Sequence, residues 1–172
     1  MSDGILVAVV VVLVALYVTW TAGRLDRMHA RVDAAWAALD AQLVRRAAAA
    51  RGLLPHLPPG AEREALDAAS AAALAAGEHD RDLVENALTK AVRAAVPQLS
   101  GGEEARQALT ELQGAAHRAV LSRSFHNSAV AGARTLRRRR LPRLLRLAGH
   151  RAMPQFFDVD DTEVPEDRGS AA

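Results

Sequence analysis

Between Ile5 and Ala22 the chain carries no charged side chain, and this run constrains everything that follows it. As a helix rising about 1.5 Å per residue it covers roughly 27 Å, close to the hydrocarbon thickness of a thin bilayer. Its Val-rich centre (Val7, Val9, Val10, Val11, Val12, Val14) makes a poor soluble helix and suits lipid. Tyr17 and Trp20 stand at one end only, where an aromatic belt meets the headgroups. The run predicts a transmembrane helix over residues 5–22, with residues 1–4 as a short extracytoplasmic N-terminus. A cleaved signal peptide is the alternative, since Thr21-Ala22-Gly23 imitates a cleavage site. That reading requires a basic leader, whereas Asp3 is the charged side chain ahead of the run. No basic residue precedes it and Arg24, Arg27 and Arg31 follow closely, so the expected topology is a single pass through the plasma (inner) membrane, N-terminus outside and the remainder cytoplasmic.

The rest of the chain has the length of one domain. Half of the residues are apolar and only 3% are aromatic, which disfavours a β-sandwich. Alanine dominates and β-branched residues thin out after Thr21, so the natural fold is all-α. The absence of cysteine excludes disulfides, thiolate catalysis and Cys-type zinc sites. Lys90 is the one lysine among many arginines, a bias that reads as composition more than as function.

Beyond the apolar run, Leu25, Met28, Val32, Trp36, Leu39, Leu43, Ala47, Ala50 and Leu54 recur at steps of three and four residues. The mean step is near 3.6, the period of a straight amphipathic helix. Neither Pro nor Gly interrupts Arg24 to Arg51, which predicts a helix over 24–54 continuous with the membrane span. Gly52, Pro55, Pro58, Pro59 and Gly60 then break it. A second helix is expected over 61–77, with Glu62 and Glu64 at its positive end. A third is expected over 80–96, capped by Asp80 and carrying Val84, Leu88, Ala91, Val92 and Ala95 on one face. The Ser100-Gly101-Gly102 turn opens a fourth over 103–140, whose apolar face reads Leu109, Leu112, Ala116, Val120, Phe125 and Ala129. Short connections alternate helix direction, so residues 23–140 are expected to form a cytoplasmic antiparallel four-helix bundle. The fourth helix then returns towards the membrane that the first one leaves.

At that returning end arginine is concentrated: Arg134, Arg137, Arg138, Arg139, Arg140, Arg143, Arg146 and Arg151. Leu136, Leu141, Leu144, Leu145 and Leu147 alternate with them, followed by Met153, Phe156 and Phe157. The segment over 141–157 therefore reads as basic and amphipathic, a partner for anionic membrane lipids. The alternative is a solvated end of the bundle whose leucines cover its core. Nucleic acid is not an expected partner, because stacking platform, recognition motif and reading helix are missing. From Asp158 the composition inverts to acidic, and residues 158–172 are expected to be a disordered tail that folds back on the arginines.

No catalytic, cofactor or metal residue is assigned. His117 and His126 lack the Glu three residues ahead that a di-iron bundle requires, Glu78-His79-Asp80 reads as a polar turn, and His56 sits in a connection. Ser122 and Ser124 beside His126 lack an orienting acid. Walker A, His-Glu-x-x-His and Gly-x-Ser-x-Gly patterns do not occur. Arg45 and Arg46 are placed to pair with Glu85 or with carboxylates of the second helix, as exposed pairs that contribute little.

The order of pieces resembles the LemA family, in which an N-terminal transmembrane helix runs into a helical domain. The resemblance rests on Val32-Asp33-Ala34-Ala35-Trp36 and on Leu39-Asp40-Ala41-Gln42-Leu43-Val44-Arg45-Arg46. It continues through Ser122-Arg123-Ser124-Phe125-His126-Asn127-Ser128-Ala129-Val130, similar to the family's Ala-Arg-x-x-Tyr-Asn-x-x-Val, and ends at Phe156-Phe157 before an acid. His126 stands in the place of the family's Tyr, and Leu54-Pro55 falls later than the corresponding family segment. The resemblance implies a membrane protein with no catalytic residue to carry over. The expected function is a non-enzymatic scaffold or adaptor at the inner membrane face, with anionic lipids and an unknown membrane or cytoplasmic protein as partners. The rival expectation is a metal-dependent or enzymatic helical module using His79, His117 and His126.

Overall fold

The computed structural model describes residues 2–137 and 153–159. Helix is the regular structure among those residues, without a strand, and they contain four α-helices: α1 (Ser2–Arg51), α2 (Ala61–Ala75), α3 (Arg81–Ala95) and α4 (Gly102–Arg137). Helix α1 runs without a break from the apolar run into the amphipathic stretch. The helix already includes residues 2–4 ahead of the apolar run.

The chain divides into two compact units. Of the described residues, 2–36, 125–137 and 153–156 make the first, and 37–124 with 157–159 make the second.

In the second unit one hydrophobic core is built from Ala47 and Ala50 of α1, Leu53 and Leu57 of the following connection, Leu66 and Ala73 of α2, Leu88, Ala91, Val92 and Ala95 of α3, and Leu109 and Leu112 of α4. Leu53, Leu66, Leu88 and Leu112 are fully buried, and each such leucine contributes about 2 kcal/mol by leaving water. Helix α1 ends at Arg51 rather than Leu54. At Gly52 the hydrogen bonds tighten, with Leu53 N–H donating to Ala50 C=O at 3.1 Å and His56 N–H to Leu53 C=O at 3.0 Å, and Pro55 has no N–H to continue the ladder. A short 3-10 turn, Leu54–His56, follows. Another, Val96–Gln98, closes α3 at Pro97. Helix α2 stops at Ala75, because Ala76 and Gly77 are extended. The turn before α4 requires its glycines: Gly101 and Gly102 have φ of 119° and 61°, a region that L side chains avoid. Ser100 N–H donates to His56 C=O at 2.9 Å, tying this turn to the α1–α2 connection.

Asp80 occupies the position before α3, but its side chain makes no capping hydrogen bond. The backbone there is already part of a 3-10 turn, Glu78–Asp80, which replaces the extended geometry a capping carboxylate needs.

In the first unit Val32 of α1 packs with Ala129, Val130 and Ala133 of α4, flanked by Met28 and Ala35. The small residues of α4 permit close approach: a Cβ on Gly132 would come within 3.0 Å of Met28 Cε. Of the apolar face expected on α4, Leu109, Leu112 and Ala129 are buried, but Val120 and Phe125 are not. Phe125 is 72% exposed, and Val120 is exposed as well, whereas Ala115, Ala119, His126, Val130 and Ala133 are buried. A bulky ring on the close-packed face would hold the helices apart, so the inward positions are taken by small residues and by the imidazole.

Candidate functional site

Two features stand out, one in each unit. The first is the N-terminal part of α1. Apart from half-buried Val18, its large apolar side chains from Ile5 to Trp20 are exposed, from 44% at Tyr17 to 65% at Leu6. Among the described residues this is the helix long and apolar enough to cross a membrane. At its far end the Tyr17 and Trp20 rings lie 6.5 Å apart at 43°, and the Arg24 guanidinium sits over the Trp20 ring, 5.6 Å from its centroid. Cation–π attraction of this kind favours the interface, where one end of an indole is apolar and the other wet.

The second feature is a buried charge cluster in the second unit. Arg46 of α1 donates from Nη1 to Glu85 Oε2 and from Nη2 to Thr89 Oγ1, both at 2.7 Å. The Thr89 hydroxyl in turn donates to the Glu85 backbone carbonyl at 2.9 Å. Arg81 pairs with Asp40, donates to the Ala73 carbonyl at 2.6 Å, and brings Nη1 to 3.9 Å from Glu85 Oε1. The cluster thereby links α1, the last turns of α2, and α3. The Arg46–Glu85 pair agrees with the sequence expectation in its partners and corrects it in its setting: Glu85 is fully buried and Arg46 nearly so. Burial pushes the Glu85 carboxyl above its ordinary range, opposed by the Arg46 guanidinium and, more weakly, by Arg81.

Asp40, Arg81 and Thr89 were not singled out from the sequence, yet the signal was present. Arg81 and Glu85 precede Leu88 and Val92 at helical spacing, and Arg46 falls between Leu43 and Ala50 on the same face of α1. Charged residues in register with a core stripe are candidates for a buried pair.

The arginine cluster expected to meet lipid is described at Arg134 and Arg137. Arg134 is half-buried, with its guanidinium 5.0 Å from the centroid of the Phe156 ring. Arg137 is half-buried and partnered. Arg138, Arg139, Arg140, Arg143, Arg146 and Arg151 lie outside the described residues, as does most of the segment over 141–157. Of the acidic tail, Asp158 and Val159 are described. The Val159 carbonyl accepts a hydrogen bond from Arg123 Nη1 at 2.8 Å, and Phe157 beside it is buried. The Asp82 carboxyl is raised, first by partial burial and then by the Asp158 charge.

The histidines considered as ligands fall in different settings. His79 is exposed in the turn before α3 and His117 is exposed on α4, both in the second unit. His126 is buried in the first unit, edge-on to Trp36 with ring centroids 5.5 Å apart. Among the described residues no group of three or more His, Asp or Glu side chains is arranged to hold a metal ion.

No family model, curated protein or solved structure matches the chain.

Proposed function

We propose that this chain is a non-enzymatic, single-pass membrane protein of the LemA type, spanning the plasma (inner) membrane at residues 5–22 and working as a scaffold or adaptor on its cytoplasmic face. The observation that carries the reading is the contrast along α1. Its N-terminal turns expose apolar side chains all round, while Leu25, Val32, Leu39 and Leu43 further along are buried. A helix apolar on every face requires an apolar solvent, and a bilayer supplies one.

Two of the stretches behind the LemA resemblance meet in the first unit, which supports that assignment. Val32 packs with Ala129 and Val130, and Trp36 lies against His126, the residue in the place of the family's Tyr. The same contacts support an antiparallel course for α1 and α4 within this unit. Trp36 is opposite His126 and Met28 is opposite Gly132, so numbers rise along one helix as they fall along the other. On that course α4 heads back towards the membrane, with its basic end available to anionic lipid; the remaining helical surface is left to a protein partner, and nucleic acid is not one.

The test is alkaline carbonate extraction combined with protease added to intact cells. The full chain should stay in the membrane pellet and residues 37–124 should be protected. Release by carbonate rejects the span, and digestion from outside reverses the topology.

A further inference from the structure

At the end of the apolar stretch, Tyr17, Trp20, Arg24, Arg27 and Arg31 follow one another at steps of three, four, three and four residues. At about 100° per residue these five fall within a sector of about 80° on α1. Asp26 and Asp33, the acids of the same turns, fall near the opposite side of the helix, about 180–200° from Arg24. Thr21, Leu25 and Val32, which are buried, lie on a third sector, so packing among the described residues uses that sector and not the aromatic and arginine stripe. All three arginines are exposed.

The geometry of the first two arginines is specific. Helical side chains lean towards the N-terminus, and in α1 that direction is back towards the apolar stretch. Arg24 follows it and covers the Trp20 ring at 5.6 Å. Arg27 follows it too, bringing Nη1 within 3.5 Å of the place a Cβ on Gly23 would occupy. The Arg27 guanidinium therefore lies against the Gly23 turn, at a distance that a Cβ there would meet in ordinary van der Waals contact. Two guanidinium groups are gathered on the last turn of an apolar helix, on the face that carries its aromatic rings and away from its acids.

We infer that Trp20, Gly23, Arg24 and Arg27 form a binding site for the phosphodiester of an anionic phospholipid, with Tyr17 and Trp20 against the upper acyl chain. This deepens the membrane reading and rests on it. Planar guanidinium groups match phosphate oxygens with paired donors, and an arginine at an anionic surface strengthens association by about five-fold. Arg31, one turn further along the stripe, extends the positive field without reaching the same phosphate.

The test uses the full chain in liposomes, with Trp36→Phe making Trp20 the sole tryptophan fluorophore. Brominated phosphatidylglycerol and brominated phosphatidylcholine, each diluted to the same mole fraction in unlabelled phosphatidylcholine, report which lipid borders the ring. The expected result is stronger quenching by the phosphatidylglycerol. Arg24→Gln with Arg27→Gln should lower that preference about five-fold or more, to the level of phosphatidylcholine, while Arg45→Gln with Arg118→Gln, an equal change of charge at exposed positions elsewhere, should keep it. Equal quenching by the two lipids, or a preference that survives in the Arg24 and Arg27 variant, overturns the site and leaves the span standing. Absence of quenching by either lipid overturns the span itself and the site with it. Excess soluble glycerol phosphate should not reduce the preference; displacement by it would mean that the site takes free phosphate. Native mass spectrometry of the chain with its own Trp36, counting retained phosphatidylglycerol in the same arginine variants, gives the same decision if the Trp36→Phe background does not fold.

Discussion

The two units invert one another. In the first, Ile5 to Trp20 places large apolar side chains on the outside; in the second, Arg46, Arg81 and Glu85 place charges on the inside. Both arrangements are costly in water, and each identifies its own solvent. Apolar groups exposed on all faces have no packing partner among the described residues, and the proposed span gives them one in the bilayer. Buried charges have partners within hydrogen-bond reach, so theirs is internal. A polar substitution in one region and an apolar one in the other should therefore have opposite meanings.

The largest effect expected is removal of residues 5–22, which should shift the protein from the carbonate-resistant pellet to the soluble fraction. Val11→Arg is a milder version, costing about 2.5–3.5 kcal/mol of insertion free energy, read as a reduced membrane fraction. If the shortened chain remained membrane-bound, the contrast between the units would lose its basis.

Next comes the charge cluster. Glu85→Ala leaves Arg46 buried without its anion and should lower stability by about 3–5 kcal/mol in denaturant titrations. Arg46→Met together with Glu85→Leu should recover most of that loss, since an apolar pair of similar volume needs no desolvated charge. A double variant as unstable as the single one would show that the cluster contributes more than mutual compensation.

The pH dependence sharpens the same point at smaller magnitude. Burial raises the Glu85 carboxyl, so the folded chain holds this proton at pH values where the unfolded chain has released it. Stability attributable to Glu85 is then fully present below the ordinary carboxylate range and falls as pH rises through the raised folded value. Glu85→Gln does not titrate. The stability of the wild type minus that of Glu85→Gln should be flat at low pH and decline across this window. A difference that grew with pH would mean that the two arginines outweigh burial.

The smallest effect expected is that of Asp80→Ala. A working N-cap is worth about 0.5–2 kcal/mol, but the Asp80 side chain makes no capping bond, so thermal denaturation should register less than about 0.5 kcal/mol.

How far these features were legible in the sequence depends on which force places them. Periodicity read α1 well: Leu25, Val32, Leu39, Leu43, Ala47 and Ala50 are all buried where the pattern put them. Strong punctuation marked the connections, and the Gly101-Gly102 turn falls where it was expected. Helix α4 was harder. Its face is crowded with alanines, and hydropathy alone placed Phe125 inward, whereas close helix approach at Ala129, Gly132 and Ala133 sends the ring outward and takes His126 in. The Arg46–Glu85 pair was legible as a pairing of opposite charges. Its burial was not, because that depends on Asp40 and Arg81, which come from positions far apart in the chain and complete the compensation. The arginine stripe was legible only once Arg24 and Arg27 were seen to lean back over Trp20 and Gly23.

Because the chain has no cysteine, a single introduced thiol reports its own environment. Val11→Cys in native membranes, treated with a membrane-impermeant maleimide, shows whether the apolar turns of α1 lie in lipid or in water. A membrane-spanning α1 gives no labelling until detergent is added, with Ala48→Cys, exposed on the same helix, labelled once the cytoplasmic side is opened. Labelling of Val11→Cys in intact membranes at the rate of an exposed residue would contradict it.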